Sequence, residues 1–211
     1  MSGRLDLDTV LAQLAETQAL LVMALSLLVG SVPFGLVFTM GSGVDIRKVG
    51  SGNTGATNVL RAVGKRAAIL TLMGDMLKGV AAVALARALG LGPVVEGAAG
   101  LCSVIGHDFS FFLRFRGGKG VATSLGVVLF YMPLAGIITC IIWFATVFVV
   151  RYSSLGAIVS FSVLPAIVWA LGSGSEKLVV SAIITILLLY KHRSNITNIM
   201  KGTESKVGQK T

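Results

Sequence analysis

The chain has 211 residues, of which 55% are hydrophobic and only 13% charged, and its mean hydropathy is +0.88. That balance excludes an ordinary soluble domain, because several apolar runs reach the roughly 20 residues a helix needs to cross a bilayer. A formal charge of +9 would suggest nucleic acid in a soluble protein, but here basic loops on one side of a membrane explain it better. Two cysteines, Cys102 and Cys140, and two histidines are too few for a disulfide framework or a metal cluster.

Residues 1–18 are polar and slightly acidic. Leu7, Val10, Leu11 and Leu14 recur at helical spacing, so this segment is a candidate amphipathic helix on the membrane surface. Asp6, Asp8 and Glu16 offset Arg4, which argues against a cleaved signal peptide. The first predicted span is Ala19 to Met40. It contains Gly30-Ser31-Val32-Pro33-Phe34-Gly35, a candidate kink and close-packing site.

A long polar loop follows, from Gly41 to Arg66, with five basic residues against one acid. Within it Gly50-Ser51-Gly52-Asn53-Thr54-Gly55-Ala56-Thr57-Asn58 reads either as a flexible connector or as a backbone cradle for an anion. The second predicted span, Ala67 to Leu89, holds Asp75 and Lys78 three residues apart. They form a structural ion pair or part of a polar site floor. Pro93 to Gly106 is a short third span. After it come His107 and Asp108, read as structural, and Phe109, Phe111 and Phe112, read as an interface anchor.

Arg116-Gly117-Gly118-Lys119-Gly120 is a second glycine-rich island. It departs from a Walker A loop, since Leu113 stands at the first glycine position and Gly120 follows Lys119. Open backbone, a helix start and a lysine still make a candidate anion site. Val121 to Met132, Leu134 to Val150, Leu155 to Leu171 and Leu178 to Tyr190 complete seven spans. A third island, Lys191-His192-Arg193-Ser194-Asn195, opens a polar basic tail, 201–211. His192 and Asn195 share a face if the last helix continues. Seven spans place every Lys and Arg except Arg4, Lys78, Arg87 and Lys177 on one side. The expected fold is thus an all-α integral membrane bundle spanning 19–200, with the N-terminus outside and the C-terminus and all three islands cytoplasmic.

These islands, in this order and spacing, closely resemble the three signatures of the bacterial acyl-phosphate:glycerol-3-phosphate acyltransferases, over about Gly30 to Glu204. The resemblance implies transfer of a fatty acyl group from acyl phosphate to the first hydroxyl of sn-glycerol 3-phosphate. The products would be lysophosphatidic acid and phosphate, made at the cytoplasmic face of the bacterial inner membrane during phospholipid biosynthesis. It implies no cofactor, no metal, and no direct use of coenzyme A or acyl carrier protein. Membrane lipids are the expected surroundings, and nucleic acid is not a partner.

By the same resemblance Ser51, Lys119 and His192 are the catalytic candidates. Arg61, Asn53, Asn58, Gly117, Gly118, Gly120, Ser154 and Asn195 would contact substrate. The proton acceptor is His192 or a substrate phosphate oxygen. Asn198 stands where the third signature usually has a basic residue, so a phosphate contact is missing or comes from Lys201. The rival readings are a transporter of a phosphorylated solute, which would reuse the basic mouth and Asp75/Lys78, and a noncatalytic lipid-binding scaffold.

Overall fold

The structure, a computed structural model, describes residues 6–209. Among these the regular secondary structure is all helical, with no strand. The α-helices are α1 Leu7–Ala15, α2 Thr17–Ser31, α3 Phe34–Val37, α4 Ala56–Ala62, α5 Lys65–Ala88, α6 Gly92–Asp108, α7 Val121–Tyr131, α8 Pro133–Val150, α9 Ser153–Ser162, α10 Leu164–Ala170, α11 Ser175–Lys191 and α12 Arg193–Met200. Three segments are long and apolar enough to cross a membrane: α5, α8 and the run Ser153–Ala170 formed by α9 and α10. A fourth is reached if α1 and α2, bent by 73° at Glu16, count as one. The start of the N-terminal amphipathic segment, residues 1–5, lies outside the described residues; α1 forms its remainder and has no buried residue.

The first span is shorter than the sequence suggests. The apolar run Ala19 to Met40 does not form one helix: α2 stops at Ser31, and Val32 is extended, with φ −61° and ψ 119°. Pro33 is the cause, because it lacks an N–H and its ring pushes the preceding residue out of the helical region. A break at membrane depth frees carbonyls that must find donors. Lys78 Nζ donates to the Val32 carbonyl at 3.0 Å, and the Ser110 hydroxyl donates to the Ser31 carbonyl. Lys78 is in turn paired with Asp75, Nζ to Oδ1 2.8 Å, with both side chains almost wholly buried. The ion pair therefore sits where α2 breaks.

Helices approach closely where glycines remove the obstacle. A Cβ on Gly30 would lie 2.3 Å from the Ser103 carbonyl oxygen, and one on Gly106 2.2 Å from that of Leu27, so α2 and α6 touch backbone to backbone. Gly79 and Gly126 do the same for α5 and α7. Such contacts suit a bilayer, where packing rather than apolar burial drives helix association. The short α7 is enclosed by its neighbours: Val127, Val128 and Tyr131 pack in one cluster with Val83, Val104, Phe161, Leu164 and Ile184. At 11 residues it need not span alone, because protein covers it.

This packing makes a prediction. Gly106→Ala should destabilise the detergent-solubilised protein by ~1–3 kcal/mol, as overpacking does, read as a fall in thermal midpoint. Gly41→Ala, where an added Cβ meets nothing within 4 Å, should stay within ~0.5 kcal/mol of the parent.

Candidate active site

The first polar island is shaped by Asn58. Its Nδ2 donates to the carbonyls of Ile46 at 2.8 Å and Val49 at 3.1 Å. Its Oδ1 accepts from the Ser51 N–H at 3.0 Å. Both amide donors are used, so Asn58 is a staple for the loop and has none left for a ligand. Asn53 closes a turn just ahead of α4, accepting the Gly55 N–H at 2.9 Å. The loop is seated on α3, where a Cβ on Gly35 would collide with the Thr54 carbonyl oxygen, 1.8 Å away. Ser51 and Asn53 border the main cavity of the molecule, as does Arg61 one helix on.

In the second island the glycines divide. Gly117 and Gly118 rest on the end of α6, and the Gly118 N–H donates to the His107 carbonyl at 3.0 Å. Neither borders the main cavity, whereas Lys119, Gly120, Val121 and Ala122 do. Gly120 has φ +72° and caps α7, a conformation glycine adopts without strain. The first turn of α7 thus brings its unpaired N–H groups to the cavity edge. Lys119 Nζ donates to Asn195 Oδ1 at 2.6 Å. Burial holds this ammonium below the usual lysine range.

The third island turns a corner. The last helix does not continue unbroken: α11 ends at Lys191, His192 links the two helices, and α12 begins at Arg193. His192 and Asn195 nonetheless both face inward, 2% and 8% exposed. His192 Nδ1 lies 2.9 Å from the Leu188 carbonyl. Nδ1 must carry the hydrogen to bond there, leaving Nε2 as an acceptor. Burial pushes this imidazole down to about 4, so it is neutral at physiological pH. Lys191 points elsewhere, donating to the Asp108 carbonyl at 2.6 Å.

The tail completes the site. Asn195 Nδ2 donates to Glu204 Oε1 at 2.7 Å, and the Ser154 hydroxyl donates to the same oxygen. A lysine at one end of the Asn195 amide and a carboxylate at the other fix which way it points. Arg61 Nη2 donates to the Ser205 carbonyl at 3.0 Å, while the Val207 N–H donates to the Arg151 carbonyl at 2.7 Å. Residues 203–207 are thereby strapped across the mouth.

The cavity holds about 700 Å³. Its lining combines the polar Ser51, Asn53, Asn58, Arg61, Lys65, Lys119, Ser154, His192 and Asn195 with the apolar Ile69 and Leu72 of α5 and Trp143 and Val147 of α8. Asp75 and His107 also border it, so one member of the helix-borne ion pair reaches the site. Asn198 borders the cavity, whereas Lys201 is exposed and does not. Glu204, His107 and the apolar wall were not among the residues picked from sequence. Glu204 had one signal, as the lone acid in a basic tail.

A cavity with a cationic mouth, a helix start and an apolar wall suits an amphiphile with an anionic head. Comparison with known proteins agrees. The family model described as glycerol-3-phosphate acyltransferase matches residues 20–202. A glycerol-3-phosphate acyltransferase of Agrobacterium fabrum is 44% identical over 211 residues, covering all of both chains. Glycerol-3-phosphate acyltransferase 1 of Deinococcus radiodurans is 45% identical over 192 residues, covering 91% of this chain and 97% of its own. Crystal structures of PlsY (YgiH), an integral membrane glycerol 3-phosphate acyltransferase, are also similar. The glycerol 3-phosphate form superposes with a TM-score of 0.86 at 38% identity, covering 90% of this chain and 96% of that one. The lysophosphatidic acid form gives 0.84 at 36% identity, covering 90% and 95%. With a family match over nearly its whole length and relatives above 40% identity across it, the chain belongs to the glycerol-3-phosphate acyltransferase family.

Proposed function

We propose that this protein moves a fatty acyl group from acyl phosphate to the first hydroxyl of sn-glycerol 3-phosphate, forming lysophosphatidic acid and inorganic phosphate for phospholipid synthesis. The observation that carries the reading is one cavity in which Lys119, Arg61, His192 and Asn195 stand beside Ile69, Leu72, Trp143 and Val147. The cations and the start of α7 receive phosphate groups, and the apolar wall takes the chain of the donor. Family membership does not favour the transporter reading.

Acyl phosphate as donor is supported by chemistry and sequence. A mixed anhydride carries its own leaving group, so placing two anions and a hydroxyl together suffices. The chain also lacks the His-x-x-x-x-Asp pattern of thioester-dependent acyltransferases, with Phe112 after His107 and Thr197 after His192 at that offset. The proposal includes seven crossings with the N-terminus outside and the site facing the cytoplasm of a bacterial inner membrane. The one-sided distribution of Lys and Arg supports it.

In the reaction the hydroxyl oxygen bonds to the acyl carbon and the bond from that carbon to the phosphate oxygen breaks. The hydroxyl proton ends on phosphate. His192, held near 4, is a weaker base than a phosphate dianion, whose conjugate acid has a pKa of about 6. The phosphate oxygen therefore takes the proton. His192 orients the hydroxyl through its free Nε2, Lys119 offsets charge as the carbonyl oxygen becomes anionic, and Ser51 and Asn53 bound the opposite side of the mouth.

Purified protein given acyl phosphate and glycerol 3-phosphate, without coenzyme A, should form lysophosphatidic acid and release phosphate. No product from folded protein, or solute flux into liposomes without conversion, would overturn the proposal. Lys119→Ala should lower kcat/KM by about 10²–10³-fold in protein that still melts cooperatively, with a modest fall in thermal midpoint from the lost bond to Asn195. His192 gives a pH prediction. Its folded pKa lies below its unfolded value of about 6.5, so its contribution is intact above pH 6.5 and is lost as pH falls toward 4. The unfolded chain takes up the proton first. Wild type should lose up to ~3 kcal/mol of stability across that window, and His192→Gln should lack this component in thermal melts at stepped pH.

A further inference from the structure

Four glycine-turn residues, two surroundings: Lys119 and Gly120 border the cavity, but Gly117 and Gly118 lie on His107. A Cβ on Gly117 would stand 2.0 Å from the His107 carbonyl oxygen. One on Gly118 would stand 2.1 Å from His107 Nε2, and the next atoms it meets belong to the same ring. The ring is itself confined. His107 is 7% exposed, and its Nδ1 lies 3.5 Å from Asp75 Oδ1, the oxygen that Lys78 Nζ approaches to 2.8 Å.

We propose that His107, oriented by Asp75, is a positioning residue for acyl transfer: its imidazole and carbonyl seat Gly117 and Gly118, and so set where Lys119 and the first turn of α7 stand in the cavity. The proposal rests on the reading above that Lys119 receives a phosphate. It assigns the need for glycine at 118 to the imidazole behind the turn, not to a ligand in front of it. Lys119 is the next residue, and its Nζ is already fixed to Asn195 at 2.6 Å. A methyl on Gly118 must push the turn off the ring, and a displacement of about 1 Å at a reacting group can cost on the order of 10²-fold in rate.

A double-mutant cycle tests this. Gly118→Ala, His107→Ala and the double variant are compared with wild type by KM and kcat, by calorimetric binding of sn-glycerol 3-phosphate, and by thermal midpoint. Gly118→Ala alone should raise KM and the dissociation constant by about tenfold or more. In the His107→Ala background the same methyl should change them by less than about threefold, because the ring it strikes has gone. Equal fold-changes in the two backgrounds would overturn the proposal. His107→Asn repeats the cycle with a polar group retained beside Asp75. On its own it should raise KM more than it lowers kcat; a lowered thermal midpoint with unchanged KM would mean a structural role only and would also overturn the proposal. Wild-type protein that neither binds glycerol 3-phosphate nor turns over would defeat the functional reading instead, while coupling between positions 107 and 118 would still be read in the midpoints.

Discussion

The structure depends on a charge pair placed inside an apolar helix. Asp75 and Lys78, 2.8 Å apart and buried, would be costly if either stood alone, since an uncompensated charge at that depth is strongly destabilising. Each has a second task. Lys78 donates to the Val32 carbonyl, which stabilises the break that Pro33 imposes on α2. That break lets the chain leave α2 early, and Ser51, Asn53 and Asn58 of the loop that follows border the cavity. The same Asp75 oxygen that faces Lys78 also faces His107, on which the second glycine island rests. The pair thus links the two loops that flank the site through rigid helices, although it lies below both.

Above that platform the mouth is built from separate stretches of chain that meet only in three dimensions. Lys119 bonds Asn195, Asn195 bonds Glu204, and Glu204 accepts from Ser154. In a low-dielectric setting each link polarises the next, and an unpaired member would be expensive. Glu204 gives the amide of Asn195 a direction and places a negative charge near Lys119, so the confined cations are partly balanced before an anionic substrate arrives. Arg61 spends one nitrogen on the carbonyls of Ser205 and Lys206. The same arginine therefore lines the cavity and holds the strap that covers it.

Much of this was legible in the sequence, for identifiable reasons. Apolar runs punctuated by polar islands dictated helices with loops between them. Lys119, His192 and Asn195 stood out in polar islands beside apolar runs, and Arg61 was singled out by the family resemblance alone. The early end of α2 was less legible, since the residues from Phe34 to Met40 are as apolar as a helix interior and only the geometry of Pro33 stops it. Asn58 and Gly118 have structural partners that the sequence does not show. An asparagine staple and an asparagine ligand have the same letter, and a glycine cleared for an imidazole looks like one cleared for a phosphate. What separates them is the partner on the far side, more than ten residues away in both Gly118 against His107 and Asn58 against Ile46. Glu204 was hidden for the same reason, because its two donors come from α9 and α12.

The division of labour in the cavity fits the reactivity of the proposed donor. An acyl phosphate will react with water as well as with an alcohol, so the site must exclude water more than it must activate a nucleophile. Enclosure comes from the bundle below and from residues 203–207 above. Holding the two reactants together can supply on the order of 7–11 kcal/mol toward the barrier, which needs well-fixed contacts but few of them. The fixed contacts are the ones observed: an amide oriented between opposite charges, an imidazole with its Nδ1–H committed to a carbonyl, and a lysine carried by a turn that lies flat on a buried ring. A neutral His192 fits the same logic, because an imidazolium there would bind phosphate more tightly and hold back the product. Of the cations that line the cavity, Lys119 and Arg61 are already hydrogen-bonded within the protein, so a phosphate at either must exchange for those bonds rather than simply add to them.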